Sequence, residues 1–167
     1  APLALGQESL VESLDCKMEP LPENWQQACA ALQACLPAGI CAVKIEPAGM
    51  DPSEIASAVY EVRYPVQMRQ DVLRAVQAYN TVPQALAEKK GKKGKIKQID
   101  LKQYLPALEV QEKDGAVFFS VQLPAGNTLT VNPALLLDYL ENEAGLPSGA
   151  PHILRVALKT QSNENFC

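Results

Sequence analysis

Hydrophobic and polar positions along this chain change period several times, and each change marks an element. In "SLVESLDCKM", residues 9–18, Leu10, Glu12, Leu14, Cys16 and Met18 share one face, and Val11, Ser13, Asp15 and Lys17 share the other. One mainly apolar and one mainly polar face predict a strand. "EPLPEN" breaks it, and Asn24 is placed to cap a helix. The apolar stripe of that helix, Trp25, Ala28, Cys29, Leu32 and Leu36, has spacings of three and four. "PAG" at 37–39 stops the helix, and "ICAVKIE" reads as a returning strand.

A linker over 47–57, with a helical turn near Pro52, leads to a second set of elements. "AVYEVRYPV" alternates through Tyr60, Val62, Tyr64 and Val66, and "RQDVLRAVQAYNTV" carries a helical stripe through Val72, Leu73, Val76 and Tyr79. "IKQIDL" reads as a strand end, and "DG" at 114–115 as a turn into the apolar run "AVFFSVQLP". Asn132 as cap, Pro133 at the first helical position and Gly145 as terminator frame a helix over "NPALLLDYLENEAG". "HILRVALKT" closes as a strand with Leu154, Val156 and Leu158 facing inward.

The predicted class is α+β: tandem ferredoxin-like units, the first incomplete (β-α-β, residues 1–50) and the second β-α-β-β-α-β (residues 58–160). Residues 161–167 are expected to be a flexible tail. A chain that opens on a partial unit and lacks an initial methionine is expected to be truncated at its N-terminus.

Composition narrows the class. The chain has 167 residues, 47% of them apolar, which is ordinary for a folded domain. No apolar run approaches the roughly 20 residues of a membrane helix, and no signal-peptide pattern is present. The expectation is a soluble cytoplasmic protein without membrane contact. The five cysteines, Cys16, Cys29, Cys35, Cys41 and Cys167, contain no C-x-x-C pair, so neither a metal nor an iron–sulfur cofactor is expected. They read as small buried apolar residues, with Cys167 exposed at the terminus.

Charge adds the one unusual feature. Lys89 to Lys102 holds seven lysines and a single acid, Asp100, a local +6 in a chain whose total is −4. Six of them, Lys89, Lys90, Lys92, Lys93, Lys95 and Lys97, share nine positions with Gly91 and Gly94. Each ammonium can neutralise a phosphate and release counterions, and glycine lets backbone approach a phosphodiester chain. Glycine and like charge both oppose a fixed conformation there. The same residues also fit a solvated hairpin loop that protects a strand edge, or a contact with an acidic protein. His152, the only histidine, has no acidic neighbour in sequence, and no catalytic motif is present.

Several stretches in order, "PLALGQES", "ACLPAGICAVKIEPA", "ASAVYEVRYPV", "IDLKQYLPALEV" and "ILRVALKT", resemble the bacterial radical-SAM-linked proteins, a domain encoded beside or fused to a radical SAM enzyme. Members of that family begin earlier, which agrees with the expected truncation. The resemblance implies a non-catalytic accessory role with a radical SAM protein as partner. The chain lacks a C-x-x-x-C-x-x-C cluster motif of its own. Two readings follow: an accessory domain that binds RNA through the six lysines, or a module that docks the radical SAM enzyme without touching nucleic acid. The second would use strand faces or the "AVFFSVQLP" edge.

Overall fold

The structure, a computed structural model, describes residues 2–90 and 96–166 and, of Lys90, the backbone alone. In chain order the elements are β1 (Glu8–Ser9), α1 (Trp25–Cys35), β2 (Ile55–Pro65), α2 (Arg69–Thr81), β3 (Leu86–Lys90), β4 (Ile96–Asp100), β5 (Val110–Lys113), β6 (Ala116–Pro124), α3 (Ala134–Asn142) and β7 (His152–Thr160). They belong to a mixed α+β fold in two compact units, residues 2–12 with 52–166 and residues 13–51. Among the described residues no helix is long and apolar enough to cross a membrane.

The larger unit is built on a five-stranded sheet in the order β1-β7-β2-β6-β5, antiparallel throughout except for β1 beside β7. Alternation along β2 buries Ala58, Tyr60, Val62 and Tyr64, and the same face of β6 adds Val117, Phe119, Val121 and Leu123. Val72, Ala75, Val76 and Tyr79 of α2 join Leu136, Leu137 and Leu140 of α3 in that core. Asp114 and Gly115, with φ of 52° and 73°, make the two-residue turn between β5 and β6. Two left-handed residues give the type I′ geometry that matches strand twist.

Two departures from the expected pattern lie in this unit. "IKQIDL" does not enter the main sheet: β4 pairs with β3 in a separate hairpin, and β5 occupies the sheet edge instead. In β7 the buried residues are Ile153, Arg155, Leu158 and Thr160, while Leu154 and Val156 are half-buried. Tyr60 pairs with Arg155 but Val59 pairs with Ala157, so Val156 is an extra residue that switches the inward phase. Arg155 thus sits inside, only 1% exposed. It donates from Nη1 to Glu12 Oε1 at 2.6 Å and from Nη2 to the Tyr60 hydroxyl at 3.1 Å. The expected tail instead folds back: Phe166 N donates to Leu158 O, Thr160 N to Glu164 O, and Phe166 packs on the core.

Residues 13–51 contain one helix and no strand. Asn24 caps α1 as expected, its Oδ1 accepting from Gln26 N and Gln27 N, each at 3.0 Å. The β-α-β expected over residues 1–50 is not formed. Past Leu10, whose N–H donates to Arg155 O of β7, neither 11–18 nor 40–46 has a neighbouring strand, and alternation without a partner supplies no ladder. Residues 40–42 bond instead to a helix side chain: Gln33 Nε2 donates to Ile40 O, and Ala42 N donates to Gln33 Oε1. The cysteines here are not core residues either, since Cys16, Cys35 and Cys41 are exposed and Cys29 is half-buried.

Candidate nucleic-acid interface

The lysine stretch begins and ends in the β3–β4 hairpin, whose five rungs run from Leu86 opposite Asp100 to Lys90 opposite Ile96. Its base is tightly held. Asp100 Oδ1 accepts from Ala85 N and Lys102 N, and Leu101 N donates to Ala85 O at 2.8 Å. The segment that follows is tied to α2 by Tyr79, whose hydroxyl donates to Leu105 O at 2.6 Å. Asn80 completes the attachment by bonding both the N–H and the carbonyl of Leu108.

Strand alternation then sorts the charges. Ala87, Ile99, Lys89 and Lys97 share one face of the hairpin, and Leu86, Glu88, Gln98 and Ile96 share the other. Ala87 and Ile99 are buried, so the lysines continue a core-facing row beyond the core. Lys89 is half-buried and donates from Nζ to Thr130 O at 2.7 Å, while Lys97 directly opposite is exposed. Like charges in that relation repel. The backbone of Lys90 closes the last rung, and Lys92, Lys93 and Lys95 lie outside the described residues.

Lys102 belongs to the fold. Its Nζ sits 4.0 Å over the Tyr79 ring and donates to Pro106 O at 2.9 Å. Burial lowers its pKa from the usual lysine value, with Asp100 acting in the opposite direction. Burial likewise raises the Tyr79 phenol well above its ordinary value, helped by Asp100 and Tyr139. Periodicity could have placed Lys89 on the inward face beside Ala87. The Thr130 carbonyl it reaches, 41 positions on, carried no sequence signal.

The other expected sites are dispersed. His152 is exposed, with Nε2 3.0 Å from Glu8 Oε2, a partner that sequence distance concealed. Among the described residues no three or more His, Cys, Asp and Glu side chains gather as a metal site. "AVFFSVQLP" is not an edge, because β6 is paired on both sides.

No curated protein and no solved structure matches the chain. A family model does match, over residues 1–133, and that family is described as an uncharacterized protein conserved in bacteria. Covering well over half the sequence, the match shows that the chain belongs to this bacterial family, DUF2344.

Proposed function

We propose that the chain is a non-catalytic, cytoplasmic accessory domain that holds RNA electrostatically at the β3–β4 hairpin. The observation that carries the reading is the pairing of Lys89 with Lys97 on a firmly anchored hairpin. Placing like charges opposite one another costs stability, and a phosphate backbone beside them removes that cost. In this reading Lys90, Lys92, Lys93, Lys95 and Lys97 meet phosphates, while Lys89 aligns the strand through Thr130. Contact is local because the rest of the chain carries −10.

The order β7-β2-β6-β5 with α2 and α3 as crossovers supports a ferredoxin-like unit as the platform. A radical SAM enzyme as the protein served rests on the resemblance of the ordered sequence stretches alone.

The test is a salt titration of total cellular RNA binding to the full chain, beside a variant with those five lysines changed to glutamine and Lys89 retained. Single-stranded RNA meeting all five should give a slope of log K against log salt of about −3.5. The variant should lose most of that slope with its thermal transition no lower, since changing Lys97 relieves the like-charge pair. Equal binding by both proteins, or no binding at low salt, would discard the RNA contact and leave the lysines as a solvated hairpin.

A further inference from the structure

Residues 13–51 contain many apolar side chains and bury none of them. Leu14, Leu21, Leu32, Ile40 and Val43 are exposed, Val43 at 83% of its full area. All eleven residues of α1 are uncharged, and none is buried. Between α1 and residues 42–45 runs an open groove of about 510 Å³, whose lining includes Trp25, Cys29, Gln33, Val43, Ile45 and one charged side chain, Lys44. Chains shorter than roughly 40 residues seldom hold a fold unless a metal, a disulfide or a partner adds to the core. Here the four cysteines are free thiols, and the described residues gather no metal site.

Charge identifies the kind of surface that fits. Asp15, Glu19, Glu23, Glu46 and Asp51 outnumber Lys17 and Lys44, and Lys44 is paired with Glu46 at 2.7 Å. With Lys44 of the groove neutralised by Glu46, the net charge of residues 13–51 is negative, which disfavours phosphodiester chains, anionic headgroups and a second copy of the same segment. No charged group on α1 needs to lose its water when the helix is covered.

We propose that this face docks a segment of a partner protein that is apolar on one side and flanked by lysine or arginine, laid along α1 and the groove. The inference is independent of the lysine hairpin.

Trp25 is the only tryptophan in the chain and lines the groove, so its fluorescence reports on this surface alone. The full chain would be titrated with a synthetic leucine/lysine amphipathic peptide and with a leucine/glutamate peptide of the same apolar face. A saturable blue shift is expected with the lysine peptide, and binding about tenfold weaker with the glutamate peptide at low salt. Leu32→Glu and Val43→Glu should each abolish the shift while leaving the thermal transition of the larger unit in place, since both positions are exposed. Glu19→Lys/Glu23→Lys/Glu46→Lys should reverse the preference between peptides. Equal response to both peptides, or to neither, overturns the proposal. So does a shift produced only by anionic phospholipid vesicles, or by self-association seen in sedimentation of the chain alone.

Discussion

The sheet-bearing unit and residues 13–51 both carry abundant apolar side chains, and they use them in opposite ways. In the first, β2 alternates and β6 does so apart from the buried run Val117–Phe119, α2 and α3 cover one face, and Phe119, Leu136 and Leu140 are fully buried. In the second, a correctly capped helix presents Trp25, Cys29 and Leu32 to a groove and to solvent. A cap and a stripe are enough to start a helix. Only a second apolar layer turns the stripe into a core.

The contrast can be broken most decisively by paired truncations. Leu140→Ala should cost the larger unit about 3 kcal/mol or more, because it leaves a cavity in a fully buried site. Leu32→Ala should change stability by less than about 0.5 kcal/mol. Equal losses in chemical denaturation would mean that residues 13–51 share the core after all.

A smaller effect is expected at Arg155. Glu12→Ala removes the carboxylate from a buried guanidinium and should cost about 1–2 kcal/mol, reduced because Glu12 is 45% exposed. Glu12→Gln, which keeps an acceptor, should cost less, and in an Arg155→Met background the Glu12→Ala loss should nearly vanish. If the loss persists unchanged in that background, the pair is not what holds residues 8–12 to the sheet.

The mildest probe is alkaline pH. Tyr64 and Tyr79 are raised above the ordinary phenol value, chiefly by burial and then by Glu141 and Asp100 respectively, and burial raises Tyr139 as well. Their folded pKa values exceed the unfolded value near 10, so the stability they confer is complete below about pH 10 and declines above it. Phenolate absorbance should show these three ionising late, with Tyr64 and Tyr79 ionising only as the chain unfolds. Ordinary titration of all five tyrosines near pH 10 would contradict that packing.

What could be read in the sequence was local. Asn24, the Asp114–Gly115 turn and the strands at Ile55–Pro65 and Ala116–Pro124 followed from residue type and period. What could not be read depended on distant partners. Residues 9–18 alternate as a strand should, yet bonding to β7 stops with Glu8–Ser9 and the Leu10 N–H. Leu154 and Val156 looked like inward positions because period two is blind to an inserted residue. Arg155 looked like an outward charge because Glu12 lies 143 positions away. At the candidate interface the lysines were plain to see, whereas the assignment of Lys89 to Thr130 and of Lys102 to Tyr79 awaited the folded chain.

The slip in β7 has a counterpart. Ile55 pairs with Thr160 but Ser57 with Lys159, so β2 carries its own extra residue, Ala56. Between them the two strands hold one spare residue each, on opposite sides of a short stretch, and the surplus cancels before the strands end. Removing a residue elsewhere in either strand would turn every inward side chain beyond it to the wrong face. Ala56 and Val156 are the two places where this pair of strands can shorten and keep its inside inside, and length differences among relatives of this chain should collect there.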